Sequence, residues 1–284
     1  MTTEQFRTML KAGSVILDGA TGSNLMRAGM PRGTCAETWI LEHPQVMTQL
    51  QKAYAAAGSQ IVYAPTFTAS EPYLKDHGLA DQLEELNGRL VSLTRSAVGE
   101  QVLVAGDLTT VGKPDVPYEE LHAIYTRQAK ALLDAGVDLF VVETMMGLDE
   151  TMAALEACKL LGDVPVLCSF SVTSDGMLYF GGSVYEAAPQ LEGFGADAVG
   201  INCSSGPDQM GAVVHALAET LTVPVIAKPN AGMPTIDEEG RAIYSMSPMA
   251  FGHHMKTLHD LGASILGGCC GTDPRYIREL RKQL

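Results

Sequence analysis

Short apolar runs alternate with longer stretches of helical periodicity from one end of this chain to the other, and few architectures accommodate that repeat. There are eight runs, at residues 15–17, 61–64, 102–105, 139–142, 166–170, 198–201, 225–227 and 264–266. Each is about strand length and apolar at consecutive positions, the pattern of a parallel strand covered on both faces. The second, fourth, sixth and eighth share an entry signal. AAAGSQIV, DAGVDLFV, GFGADAVG and DLGASILG place Gly58, Gly136, Gly195 and Gly262 two or three residues ahead of the run. Glycine at that point is the left-handed cap that ends a helix. The fifth and seventh enter through Val164-Pro165-Val166 and Val223-Pro224-Val225, where a proline at the strand's first position costs no ladder bond. Helical patterns between the runs include residues 44–57, 119–135, 149–161 and 249–261.

Eight strands with intervening helices predict an α/β fold, a single (β/α)8 TIM-type barrel over residues 1–284. The competing doubly wound sheet usually carries a Gly-rich first turn with G-x-G-x-x-G spacing, and the first turn here, DGATGSN, lacks it. With 46% hydrophobic and 18% charged residues, a core of that size can be filled. The net charge of −14, with no long Lys/Arg cluster, argues against nucleic acid as a partner. The first twenty residues hold no basic stretch followed by an apolar one, and no segment has the roughly 18 uninterrupted apolar residues of a spanning helix. A cytoplasmic protein that neither enters nor crosses a membrane is expected.

In such a barrel the active site lies at the C-terminal ends of the strands. Polar and metal-capable groups follow most of the runs: Asp18, Thr66, Asp107, Glu143, Asn202-Cys203-Ser204, Lys228-Pro229-Asn230 and Cys269-Cys270. Cys203 follows the sixth run and Cys269-Cys270 the eighth, two strands apart in a closed barrel, so their side chains can converge. Three thiolates make a Zn2+ site with one open position, which suits catalysis. Adjacent residues of a regular strand point to opposite faces, so Cys269 and Cys270 reach one metal only if the backbone turns. Gly267, Gly268 and Gly271 flank them and permit a turn. Cys35, Cys158 and Cys168 have no second thiol or Gly pair beside them and read as core residues. His253 and His254 fall within a helical pattern and face different sides.

Asp18-Gly19-Ala20-Thr21-Gly22, Pro65-Thr66-Phe67, Glu143-Thr144, Gly200-Ile201-Asn202-Cys203-Ser204, Pro229-Asn230-Ala231-Gly232 and Gly267-Gly268-Cys269-Cys270-Gly271-Thr272 together resemble the homocysteine S-methyltransferase family. Within it, the likeness is to the homocysteine-binding barrel that opens cobalamin-dependent methionine synthase. The motifs occur in the family's order over nearly the whole chain. The resemblance implies Zn2+ held by Cys203, Cys269 and Cys270, with Asn230 in the fourth position until a substrate thiolate displaces it. It also implies that Glu143 holds the ammonium of homocysteine and that Asp18 and Thr66 belong to motifs lining the same pocket. The run Tyr63-Ala64-Pro65 is less polar than in many relatives. The chain ends soon after the eighth run, so the folate, cobalamin and activation modules of full-length methionine synthase are expected to be absent.

The activity so implied is methylation of homocysteine to methionine. Zinc coordination deprotonates a thiol, a carboxylate at Glu143 pairs with an ammonium, and backbone N–H groups of residues 19–22 would suit the substrate carboxylate. S-methylmethionine, S-adenosylmethionine, a betaine-like ammonium and a separate methylcorrinoid protein all stand as methyl donors, and the methionine synthase likeness favours the last. Two other readings compete. Lys228 at the end of the seventh run could form a Schiff base in a metal-independent aldolase or lyase. Cys269-Cys270 could instead serve a thiol-based metal or redox sensor.

Overall fold

The computed structural model describes residues 1–238 and 242–284. Its strands, in chain order, are β1 Val15–Ile16, β2 Ile61–Tyr63, β3 Leu103–Thr109, β4 Leu139–Met145, β5 Val166–Phe170, β6 Ala198–Asn202, β7 Val225–Lys228, β8 Pro234–Ile236, β9 Ala242–Tyr244 and β10 Ala263–Leu266. Eight of them form one parallel sheet in the order β1-β10-β7-β6-β5-β4-β3-β2, and β8 with β9 makes a separate antiparallel hairpin. This is the (β/α)8 barrel. The four glycine caps are left-handed as the pattern requires, with φ of 114° at Gly58, 88° at Gly136, 93° at Gly195 and 110° at Gly262. Helices Pro44–Ala57, Tyr118–Asp134, Leu148–Lys159 and Pro248–Asp260 fall where periodicity put them.

Sheet closure falls between β1 and β2, and it is made differently from the other joints. β1 is only two residues long, so side chains replace most of the ladder. Gln60 donates its backbone N–H to Ile16 O at 2.7 Å and accepts from Ile16 N through its side-chain oxygen at 3.0 Å. Ser59 Oγ donates to Leu17 O at 3.0 Å. At the C-terminal end the Asp18 carboxylate accepts the N–H of Tyr63 at 2.8 Å.

Two apolar compartments follow from strand alternation. Inside the barrel pack Val15, Leu17, Ile61, Leu139, Val141 and Ile226 among others, and Phe6 of the helix Thr3–Lys11 joins them, fully buried. Between sheet and helices lies the larger shell that contains Val62, Phe140, Phe170, Phe251 and Leu266. Cys158 and Cys168 are in that shell at 0% exposure, and Cys35 is buried in a small cluster with Leu74 and Leu83. Burial pushes the Cys168 thiol up to about 12, so it packs as a small apolar group. His253 is exposed and His254 partly so, within the last long helix before β10. Among the described residues no helix is long and apolar enough to cross a membrane.

Candidate active site

The C-terminal end of the barrel opens into a cavity of about 990 Å³. Its wall includes Asp18, Glu143, Lys228, Cys203, Cys269 and Cys270. The strand-end groups that the sequence singled out are thus mostly brought together.

The three thiols converge. Their sulfurs all lie within 4.8 Å of one another, and Cys203 Sγ is 3.5 Å from Cys270 Sγ. Each cysteine is aimed by a departure from regular backbone. Cys203 follows β6 with φ 55°, one of two non-glycine residues in the left-handed region among the described residues, a conformation that costs energy and must be held. Strand β7 supplies the hold: Cys203 N donates to Lys228 O at 3.2 Å, and Asn230 Nδ2 donates to Cys203 O at 2.9 Å. Beyond β10 the chain turns as expected. Thr272 donates both N–H and Oγ1–H to Cys269 O, at 3.1 and 2.7 Å. Gly271 closes the turn with φ 82°, and a Cβ there would come within 2.3 Å of the Tyr244 ring. Tyr244, on β9, lines the cavity beside Cys270.

Three buried thiols cannot all ionise side by side unless a cation joins them. Hydrogen bonds from Cys203 and Cys269 pull Cys270 down to about 3, while bonds to Cys269 and Cys270, with burial, push Cys203 well above the usual thiol range. One negative charge is therefore unequally shared, which a bound metal would relieve. The donors fit one. Tetrahedral zinc with Zn–S near 2.3 Å sets its sulfurs about 3.8 Å apart, close to the spacing found. Asn230 Oδ1 adds to the fit, because it is buried without any hydrogen-bond partner while its amide nitrogen is anchored on Cys203.

Beside the thiols sits a charge cluster. Lys228 Nζ lies 3.5 Å from Glu143 Oε2 and 3.8 Å from Asp18 Oδ1, and stacks over the Tyr63 ring at 4.5 Å. All four groups are nearly inaccessible to solvent. Burial pushes Asp18 up to about 7 although Lys228 opposes the shift. Glu143 is likewise pushed up to about 7 by burial, against the pull of Lys228. For Lys228 burial alone would favour the neutral amine, but Glu143 and Asp18 outweigh it and hold the ammonium well above its ordinary range. A Schiff-base lysine needs the reverse, an amine that gives up its proton near neutrality. The geometry therefore speaks against the aldolase reading.

Thr66 is placed elsewhere than the cavity wall. It is fully buried, and its hydroxyl brackets the backbone of Asp107, donating to Asp107 O at 2.9 Å and accepting from Asp107 N at 3.1 Å. It joins the end of β2 to β3. Residues 19–22 do line the cavity, but the Ala20 N–H is already committed to Thr272 Oγ1 at 3.1 Å.

The sequence placed Asn202 and Asp107 among the strand-end groups without giving either a role, and it missed Tyr244. Asn202 is fully buried and ties three strands together: its Oδ1 accepts from Thr144 N at 2.8 Å and Ser169 Oγ at 2.9 Å, and its Nδ2 donates to Thr144 Oγ1 at 2.7 Å and Glu143 Oε2 at 3.4 Å. An amide just before Cys203 was the only signal for it. Asp107 projects into the cavity from within β3, and Tyr244 reaches it on a hairpin that strand periodicity does not announce.

In class terms the molecule is a (β/α)8-barrel enzyme with a thiol triad and a buried carboxylate–lysine cluster at its mouth. The chain belongs to the homocysteine S-methyltransferase family, whose model matches residues 15–284. Methionine synthase of Mycobacterium leprae (strain TN) is 30% identical over 287 residues, covering 93% of this chain and 24% of that protein. The methionine synthase of Mycobacterium tuberculosis (strain ATCC 25618 / H37Rv) matches to the same extent, 30% over 287 residues and 24% of its length. The chain thus spans about a quarter of these curated relatives. Among solved structures, the metallated form of the homocysteine methyltransferase MmuM from Escherichia coli aligns with a TM-score of 0.85 at 24% identity, covering 98% of this chain and 99% of that one. The apo form of the same enzyme gives 0.77 at 25% identity, with 96% of both chains covered.

Proposed function

We propose that the chain transfers a methyl group to the sulfur of homocysteine, forming methionine, with Zn2+ held by Cys203, Cys269 and Cys270. The observation that carries the reading is the convergence of three sulfurs within 4.8 Å at the mouth of a homocysteine S-methyltransferase-family barrel. A soft, three-sulfur donor set suits zinc among the common divalent ions. When bound, Zn2+ keeps a coordinated substrate thiol ionised at neutral pH.

The chain's own residues do the rest. Asn230 offers Oδ1 as a fourth donor that a substrate sulfur can replace. Glu143 takes the substrate ammonium, and Asp18 shares the load of Lys228 with it. Held by its amino-acid end, the substrate presents its sulfur to the open side of the cavity. There the sulfur lone pair forms a bond to the donor's methyl carbon while the donor–methyl bond breaks, and the thiol proton leaves to solvent. Such positioning is worth about 7–11 kcal/mol in favourable cases. The motif resemblance to the homocysteine-binding barrel of cobalamin-dependent methionine synthase supports a methylcorrinoid as the donor. Six free cysteines, three of them clustered, support a reducing compartment such as the cytoplasm.

The test is zinc content per chain together with methionine formation from homocysteine and four donors: methylcorrinoid, S-methylmethionine, S-adenosylmethionine and a betaine. About one zinc and methylation by methylcorrinoid are expected. A chain that stays metal-free after zinc supplementation would overturn the mechanism, and methylation by another donor alone would overturn the corrinoid assignment.

A pH effect follows from Glu143. With its carboxyl near 7, Glu143 becomes neutral as the pH falls through 7 and can no longer pair with an ammonium. Affinity for homocysteine is therefore expected to drop on acidification. Calorimetric titrations from about pH 5.5 to 8 should show a slope steeper in the wild type than in Glu143→Gln by about ten-fold per unit, one proton's worth. Equal slopes would show that Glu143 does not titrate with binding.

A further inference from the structure

The charge cluster contains one carboxylate that no other group explains. Asp107 lines the same cavity as Glu143 and Lys228, is 5% exposed, and has a buried Oδ1 with no hydrogen-bond partner. Among the described residues its side chain makes neither a hydrogen bond nor an ion pair. Its backbone is in the opposite condition, with N–H and C=O both engaged by Thr66 Oγ1. The strand position is therefore fixed firmly while the carboxylate is left open. Among the described residues Lys228 is within ion-pair distance of Glu143 and Asp18 only.

A buried, donorless carboxylate costs several kcal/mol unless something satisfies it. Burial, with Glu143 nearby, pushes the Asp107 carboxyl well above its ordinary range, so in the empty cavity it holds on to a proton that an entering cation would displace. Lys228 pairs with Asp18 and Glu143, whereas it acts on Asp107 only from beyond ion-pair distance, and no other described residue pairs with that carboxylate. The missing group is a second cation with N–H donors, small enough to enter a cavity shared with the thiols. A substrate carboxylate has no place against this wall.

We infer that Asp107 binds the substrate's ammonium together with Glu143, and that Lys228 is the built-in counter-ion that leaves room for one further cation. The inference rests on the homocysteine reading and adds to it a specificity-determining residue. Asp107 selects α-amino thiols over thiols of the same length that lack the amine.

The experiment compares two ligands on the zinc-loaded protein by direct calorimetric binding: L-homocysteine, and 4-mercaptobutanoate, the same thiol acid without its ammonium. The wild type should prefer L-homocysteine. Asp107→Asn, isosteric and uncharged, should weaken L-homocysteine binding about 10- to 100-fold, the range for a hydrogen bond to a charged group, and leave 4-mercaptobutanoate within about two-fold of its wild-type affinity. Unliganded Asp107→Asn should unfold at the same denaturant concentration as the wild type or higher, since it replaces a buried carboxyl whose Oδ1 has no partner among the described residues by an amide of the same shape. Equal weakening of both ligands, or no weakening of either, would overturn the inference and make Asp107 a structural residue. A wild type that binds neither ligand would instead count against the homocysteine reading itself. Should Asp107→Asn not fold, Asp107→Ser is read in the same way.

Discussion

Cys270→Ser is expected to yield a folded barrel that retains almost no zinc and methylates homocysteine more than about 100-fold more slowly than the wild type. Losing an outer partner of a metal ligand typically costs about 10–100-fold in affinity or activity, and losing the ligand itself costs more. Serine offers an oxygen that stays protonated at neutral pH, so the donor set falls from three soft anions to two. Folding should survive because the local backbone is held by other bonds: Cys269 N donates to Pro229 O at 2.7 Å and Ala231 N to Cys270 O at 2.9 Å. Cys203→Ser and Cys269→Ser should behave alike. Cys158→Ser is the control, since it buries a hydroxyl far from the triad and should reduce stability while leaving zinc in place. Metal analysis beside a donor assay separates these outcomes. A full zinc complement in any of the three triad variants would remove that cysteine from the donor set.

Lys228→Met should be the most disruptive single change in the charge cluster. It removes the only cation paired with these two buried carboxylates among the described residues, a loss of the kind that costs about 3–5 kcal/mol. The pH dependence identifies the cause. Asp18 and Glu143 already titrate near 7 with Lys228 present, well above the ordinary carboxylate range. Without it their pKa values rise further, so around neutrality the folded chain keeps protons that the unfolded chain has released. Stability then falls as the pH rises. The variant should be closer to the wild type in denaturant midpoint at pH 5 than at pH 8. An equal deficit at both would mean that only the packing of the lysine stem over Tyr63 had been lost.

Much of the barrel was legible because burial on both faces leaves a mark in composition. β5 falls on residues 166–170 as the pattern put it, and the helix Pro44–Ala57 matches at both ends. β3 and β4 were read too short. Each continues past its apolar run, to Thr109 and Met145, through polar residues that face the cavity and break the hydrophobic signal. The β8–β9 hairpin escaped notice for a related reason: its residues are largely exposed and need no apolar pattern. The thiol triad was readable since strand order alone brings Cys203 near Cys269 and Cys270. What Asp107 and Thr66 do was hidden. Both follow from hydrogen bonds between neighbouring strands, in which Thr66 spends its hydroxyl on backbone and leaves the Asp107 carboxylate unanswered. The left-handed turn at Cys203 was equally silent, because glycine is the usual marker of that conformation and none stands there.

Asp18 holds two positions at once. Its Oδ2 fastens the short first strand to Tyr63 at the seam, and its Oδ1 faces Lys228 in the cluster. The joint where the sheet meets itself therefore shares a carboxylate with the wall that receives the substrate. Whatever draws charge toward Oδ1 also changes how strongly Oδ2 grips the Tyr63 amide. Occupancy of the cavity should be audible at the seam: the Tyr63 amide should exchange its hydrogen with solvent at a rate that depends on whether an amino acid is bound, while amides on the far side of the barrel, such as that of Cys168, keep one rate throughout.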